Sequence, residues 1–544
     1  MKKIIVFLIA VSSLSLLAQN PSRKDSLRGS LTSLRTCYDV TYYHLDITVN
    51  PNKKFIKGLT DIHFKAVSSF NSSQIDLFEN LKISKIEFEG ERLTFTREFN
   101  AVFVDFNREI QKGEQTSFKV YFEGNPRVAV KAHWDGGFSW KKDENNKDWV
   151  AVSCQGLGAS SWWPNKDHQS DEPDSMLISC HVPKGLQCVA NGNLRNSSTT
   201  KLLNKYDTFN WFVSYPINNY DVTLNIGDYV NFSDVYISEL DTLALDYYVL
   251  SYNEEKAIEH FKQVKPMMNC FENYFDKYPF WNDGYALVET PYLGMEHQSA
   301  IAYGNNFLKG YHGNTKFIDG HDFDFIIVHE SGHEWWGNSI TTNDIADMWV
   351  HEGFCTYSEV LYVECMYGYE AMLSYVNNQK RSVRNDKAVI GPYHVNIEGS
   401  GDMYNKGSLM LHTLRSLIDN DSLWLSMVKG IANDFKHKTV DGQEIINYIN
   451  EKTGKDLNIF FNQYLKNATI PEFQYRFDQQ GRNTTLVYRW NAIENFDMPI
   501  LVTIGREDFW IYPEKQWKEQ ELGAFDRYEF KVRDDLFFID VKKM

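Results

Sequence analysis

From about residue 42 to residue 250, apolar side chains recur at every second position in short runs separated by polar and glycine-containing turns. Leu45, Ile47 and Val49 form one such run, and Phe118, Val120 and Phe122 another. Period-two alternation predicts half-buried antiparallel strands, because successive side chains of a strand point to opposite faces. From about residue 251 to residue 465 the apolar positions spread to helical spacing in longer amphipathic segments. Beyond Pro471 the alternation returns in Phe473, Tyr475 and Phe477, in Leu486, Tyr488 and Trp490, and in Tyr528, Phe530 and Val532. The order β, then mostly α, then β predicts a multidomain α+β protein. Its divisions are an N-terminal β-sandwich over 19–250, a mostly helical domain over 251–470 and a small C-terminal β-sandwich over 471–544. A chain of 544 residues exceeds what one hydrophobic core normally serves.

The first residues follow a different pattern. Lys2 and Lys3 precede an apolar run from Ile4 to Leu17, followed by Ala18. A short basic region, an apolar run of this length and a small residue predict a secretory signal peptide over 1–18, hence an exported, periplasmic or extracellular protein. The run is short for a bilayer span, so no stable membrane insertion is expected once it is removed. The formal charge of −16 speaks against nucleic-acid partners, which require basic surfaces. Seven cysteines include no C-x-x-C pair, and the odd number leaves at least one thiol unpaired. Cys180 and Cys188 flank a turn-like stretch and fit either a cross-hairpin disulfide or two unpaired strand residues.

The chemistry concentrates in H-E-S-G-H at His329–His333, led in by the apolar run 325–328 and followed by Gly337-Asn338 as a helix stop. Two histidines four apart on a helix share one face, so both imidazoles can reach a single zinc ion, with Glu330 beside them to handle a water. Glu352 lies nineteen positions after His333 in D-M-W-V-H-E-G-F. It completes a His₂Glu ligand set for one Zn²⁺ per chain, the composition of catalytic rather than structural zinc sites. Glu359, seven residues further on the same predicted helix, either orients a ligand imidazole or is a solvated helix carboxylate.

Four blocks in order then resemble the gluzincin aminopeptidases, the family of aminopeptidase N and the leukotriene-hydrolysing aminopeptidases. They are Y-L-G-M-E-H (Tyr292–His297), H-E-S-G-H-E-W-W-G-N, W-V-H-E-G-F and M-Y-N-K-G (Met403–Gly407). W-W-P-N-K-D-H-Q-S-D-E-P-D extends the likeness into the N-terminal part. The resemblance implies a thermolysin-like α/β catalytic domain and a zinc metallo-aminopeptidase. Its substrates would be peptides with a free N-terminus, cleaved by zinc-activated water with Glu330 as general base. It further implies that Glu296 binds the substrate α-ammonium, with Gly294 and Met295 beside it and Gln155 as a second contact. Tyr404 would donate a hydrogen bond to the oxyanion.

Two features depart from the family pattern. Leu293 and His297 replace the glycine and asparagine of the exopeptidase signature G-x-M-E-N. His297 reads either as a pocket contact or, more simply, as a packed histidine. The C-terminal β segment stands where many relatives carry a large helical domain, which implies a more open cleft accepting longer peptides. An endopeptidase on the same metal site would have no use for Glu296. A scaffold that had lost its chemistry would not be expected to keep His329, Glu330, His333, Glu352 and Tyr404 together. Epoxide hydrolysis has no separate signal.

Overall fold

The computed structural model describes residues 21–132, 134–199, 205–238, 241–481, 483–523 and 529–544. The expected signal segment 1–18 and Tyr528 lie outside the described residues. An eight-stranded sheet dominates the N-terminal part. Its strand Tyr38–Asn50 pairs antiparallel with Phe55–Ala66 on one side and parallel with Ser175–Pro183 on the other. Leu45, Ile47 and Val49 are completely buried on its inner face, as their alternation requires. A three-stranded and a four-stranded sheet complete this part, the latter containing Gly137–Lys142 and Asp148–Ser153. Its hydrophobic cluster also takes in Tyr292, Met295 and Ala300, so the segment carrying Glu296 is packed against the N-terminal β region.

The helical part contains its own five-stranded sheet, in the order Tyr229–Ser238, Asp241–Leu250, Tyr285–Glu289, Ile301–Tyr303, Gly294–Met295. The strands from 229 to 250 therefore belong to the sheet of the helical part, since Leu245 to Tyr248 pair in parallel with Tyr285 to Val288. The division expected at 250/251 marks the point where alternation gives way to helical spacing. Alternation identifies a strand but carries no information about which sheet it joins.

After residue 471, a four-stranded and a three-stranded sheet form the C-terminal part. Its core residues Phe473, Trp490 and Phe538 share one cluster with Trp349, Leu414 and Tyr464 of the helices. Polar contacts fix the same seam: Tyr464 Oη donates to the Phe538 carbonyl at 2.9 Å, and the Phe538 amide donates to Thr413 Oγ1 at 2.8 Å. The β-rich, helical and β-rich parts form the multidomain α+β architecture expected. Among the described residues no helix is long and apolar enough to cross a membrane. A disulfide joins Cys270 to Cys365, tying helix Val264–Phe275 to the end of helix Trp349–Tyr367. Cys180 and Cys188 are buried and unbonded, on strands of different sheets.

Candidate metal centre and active-site cleft

Asp324 starts the motif helix Phe325–Gly332, its carboxylate accepting from the Ile326 amide at 2.9 Å as an N-cap. His260 and Tyr303 contact the other oxygen of the same carboxylate at 2.7 and 2.8 Å, so the helix is anchored at its start. The helix closes at Gly332, short of the stop expected at Gly337 and Asn338. The amides of Trp335 and Trp336 both reach back to the Gly332 carbonyl at 3.2 Å, which tightens the last turn. His333 follows directly with right-handed helical dihedrals (φ −64°, ψ −22°), so it still sits one turn beyond His329.

Each imidazole is oriented from behind. His329 Nδ1 donates to Glu359 Oε1 at 2.7 Å, and His333 Nδ1 donates to the Trp336 carbonyl at 2.9 Å. These acceptors hold the proton on Nδ1 of both rings and leave lone pairs on Nε2. The two Nε2 atoms face one another at 3.3 Å. Glu352, 1% exposed near the start of helix Trp349–Tyr367, adds Oε2 at 3.4 Å from His333 Nε2 and 3.8 Å from His329 Nε2. That oxygen has no hydrogen-bond donor. Three lone-pair atoms converging out of water repel one another unless a cation lies among them. Tetrahedral zinc with bonds of ~2.0–2.2 Å separates its ligands by about 3.3–3.6 Å. The residues fit one zinc ion. Cys355 also lies close to both imidazoles, but its thiol donates to the His329 carbonyl at 2.9 Å and faces the Nδ1 side of that ring.

Of the two readings of Glu359, the structure shows a buried carboxylate. It is 2% exposed, and its second oxygen accepts from Tyr375 Oη at 2.6 Å. Glu330 is buried within the cleft, and burial pushes its carboxyl up to about 7 against the opposing pull of His329 and His333. Gly294 lines the floor opposite. A Cβ there would stand 2.5 Å from Glu330 Oε1 and 2.8 Å from Ile326 Cγ2, so any larger residue would displace the Glu330 carboxylate.

Glu296 is 3% exposed and shares the site, with one oxygen each of Glu296 and Glu330 and a nitrogen of His333 within 4.8 Å of one another. Gln155 Nε2 donates to Glu296 Oε1 at 2.5 Å and to Glu352 Oε1 at 3.2 Å, bridging the two carboxylates. Tyr220 Oη donates to Glu296 at 3.2 Å, and Asn338 Nδ2 holds the Glu296 carbonyl at 2.7 Å. Burial, reinforced by the negative charge of Glu352, raises the Glu296 carboxyl above its ordinary value. An arriving cation would relieve that cost. Tyr404 is half-buried, its ring 6.1 Å from that of His329. Burial, with Glu352 and Glu296 nearby, holds its phenol far above the usual range, so it stays a proton donor. Met295 and Leu293 are buried in the wall. His297 is a packed histidine, completely buried and pushed down to about 3 by that burial.

Tyr220, Asn338 and Tyr375 were missed in the sequence. No local motif marks Tyr220 or Tyr375, and Asn338, which closes the block H-E-S-G-H-E-W-W-G-N, reaches the Glu296 carbonyl only through the fold.

A buried His₂Glu set with a free carboxyl next in sequence to one histidine, on the floor of a cleft, is the construction of a single-zinc hydrolytic site. The known proteins that this chain resembles agree. Residues 259–464 match the peptidase family M1 domain. The chain is 19% identical over 493 residues to leukotriene A-4 hydrolase of Xenopus laevis, covering 85% of this chain and 77% of that one. It is 24% identical over 220 residues to aminopeptidase N of Lactococcus lactis, covering 38% of this chain but only 26% of the relative. An M1 zinc metallopeptidase from Deinococcus radiodurans superposes with a TM-score of 0.66 at 18% identity, over 80% of this chain and 95% of that one. The family match spans 206 of the 544 residues and contains His329, Glu330, His333, Glu352 and Tyr404.

Proposed function

We propose that this protein is an exported zinc aminopeptidase that removes residues singly from the free amino end of peptides. The observation that carries the reading is Glu296. This carboxylate is buried beside the ligand set, held by Gln155 and Tyr220, and among the described residues no lysine or arginine forms an ion pair with it. One relative is named aminopeptidase N, and the structure of a mutant of the Deinococcus metallopeptidase was solved bound to Tyr-Ser-Ala. Export rests on the basic and apolar pattern of residues 2–18.

His329, His333 and Glu352 would hold the zinc. Bound there, the ion would supply Lewis acidity, polarising the scissile carbonyl and lowering the pKa of water. Glu330, within the cleft and close to His333, takes the proton of the attacking water and returns it to the leaving amine. Tyr404 donates its phenolic hydrogen to the oxyanion that develops on the carbonyl. Glu296 and Gln155 grip the α-ammonium, which places the first peptide bond, and no other, at the reacting position. An internal peptide bond offers no ammonium to Glu296, which disfavours endopeptidase activity.

A panel of fluorogenic aminoacyl substrates, each with an N-acetylated control, tests the reading. Cleavage of the free-amine members alone, abolished by phenanthroline and restored by added zinc, is expected. Equal cleavage of acetylated controls, or activity indifferent to chelation, would overturn it.

A further inference from the structure

Behind the amine-binding end of the cleft, a segment far away in sequence reaches the loop that carries Gln155. The short helix Arg23–Gly29 is fixed at its start by a capping box between Ser22 and Asp25. It lies across the junction of the N-terminal β region and the catalytic part. The Asn396 amide donates to the Asp25 carbonyl at 3.1 Å, and Ser30 Oγ donates to the His394 carbonyl at 2.9 Å. Gln74 Nε2 holds the Leu27 carbonyl at 2.9 Å from the other side. The completely buried Arg35 donates to the Arg28 carbonyl at 2.5 Å and pairs with Asp76.

This anchoring aims one side chain at the Gln155 loop. Arg28 Nη1 donates to the Gly156 carbonyl at 3.1 Å and to the Leu157 carbonyl, and its Nε lies 3.4 Å from Asp167. The loop folds tightly, with the Leu157 amide on the Gln155 carbonyl and the Gly158 amide on the Cys154 carbonyl, at 2.7 and 2.6 Å. Gly158 adopts φ +96°, and a Cβ there would stand 1.9 Å from Arg28 Nη2. The guanidinium thus occupies the space that a side chain on the loop would need. The loop ends in the Gln155 amide that bridges Glu296 and Glu352.

We propose that Arg28 is a positioning residue for recognition of the substrate amine: it clamps the backbone of residues 156–157 so that Gln155 is held against Glu296. The inference rests on the aminopeptidase reading and extends it, because the amine site then depends on a helix belonging to neither ligand-bearing segment. A guanidinium suits the task, since its fixed fork can serve two carbonyls and a carboxylate together.

The test is a double-mutant cycle with Arg28→Ala, Gln155→Ala and the double variant, with Arg28→Lys as a milder replacement that keeps the charge. Steady-state kinetics on one free-amine aminoacyl substrate, zinc content, and amide hydrogen exchange of residues 156–158 are measured for each. Arg28→Ala should raise KM about tenfold while kcat stays within about twofold and zinc content is unchanged. Exchange at residues 157 and 158 should accelerate. Arg28→Lys should recover part of the KM. In the Gln155→Ala background the Arg28 substitution should add little, because its effect passes through that side chain.

Independent, multiplying effects of the two substitutions would overturn the proposal, as would an unchanged KM and unchanged loop exchange in Arg28→Ala. A Gln155→Ala variant with wild-type KM on free-amine substrates would overturn it while leaving the aminopeptidase reading intact. A wild type inactive on free amines would overturn that reading, and the exchange data would still show whether Arg28 orders the loop.

Discussion

At the scale of single residues, the roles proposed for Glu330 and Tyr404 can be separated by conservative substitutions. Glu330→Gln keeps the side chain's size and removes the basic oxygen. Because Glu330 is not one of the three convergent ligand atoms, zinc stoichiometry should persist while turnover falls by orders of magnitude. Full activity with full zinc would remove Glu330 from the reaction. Tyr404→Phe deletes only the phenolic hydroxyl, and kcat should drop by roughly 10²–10³ with KM little changed, the usual cost of one oxyanion donor. A raised KM with kcat intact would make Tyr404 a binding residue instead. These side chains were legible in the sequence because their meaning is local: histidines four apart, a glutamate between them, a tyrosine in a short block. Tyr220 was not, since it reaches Glu296 across a separation of 76 residues with no pattern of its own, and the place of Asn338 in its block does not reveal that its amide holds the Glu296 carbonyl 42 residues away.

At the scale of elements, the helix Trp349–Tyr367 carries both Glu352 and Glu359, seven residues and two turns apart. The first faces the ligand triangle and the second the back of His329, so one rigid element sets both the ligand and its support. Glu359→Ala should weaken zinc binding by about 10–100-fold, the usual effect of losing a ligand's hydrogen-bond partner, as read by competition with a chelator. Zinc affinity equal to wild type would leave Glu359 a purely structural acid. The same helix is pinned at its other end by Cys365 to Cys270, closing a separation of 95 residues. Cys365→Ser should cost about 2–4 kcal/mol of unfolding free energy in urea titrations. Reduced wild type should match the variant. Helical spacing placed Glu352 and Glu359 on one face. The partner of Cys270 was not readable, because nothing local distinguishes it among seven cysteines.

At the scale of the whole molecule, the cleft is assembled from parts that do not fold next to one another in sequence. The N-terminal β region supplies Gln155 and Tyr220, the helical part supplies His329, His333 and Glu352, and the C-terminal sheets brace the helices through Tyr464 and Thr413. The succession of alternating and helical patterns revealed the architecture. It did not show that strands 229–250 join the helical part, because pairing between distant strands leaves no trace in either one alone.

The same dense packing has a pH signature. His297 and His412 are completely or almost completely buried, and burial pushes each down to about 3. Their folded values lie below the unfolded value of about 6.5, so the unfolded chain takes up protons that the folded one refuses. The stability they contribute is therefore complete above that unfolded value and is lost as pH falls toward their folded value, by about 1.4 kcal/mol per pH unit for each histidine. His412→Gln should flatten the acid limb of urea-unfolding stability by about one histidine's worth. An unchanged slope would show that His412 titrates normally in the folded protein.

Exopeptidase specificity depends on whether Glu296 reads a free amine, and one ratio reports on that. kcat/KM is measured on a peptide and on its N-acetylated counterpart, for wild type and for Glu296→Ala at equal zinc content. The wild type should favour the free amine strongly. Glu296→Ala should lose most activity on the free-amine peptide and hardly change on the acetylated one, since the lost ion pair existed only with the former. The ratio should therefore collapse toward unity. A Glu296→Ala enzyme that keeps the wild-type ratio would contradict the account, for the amine would then be recognised by some other group.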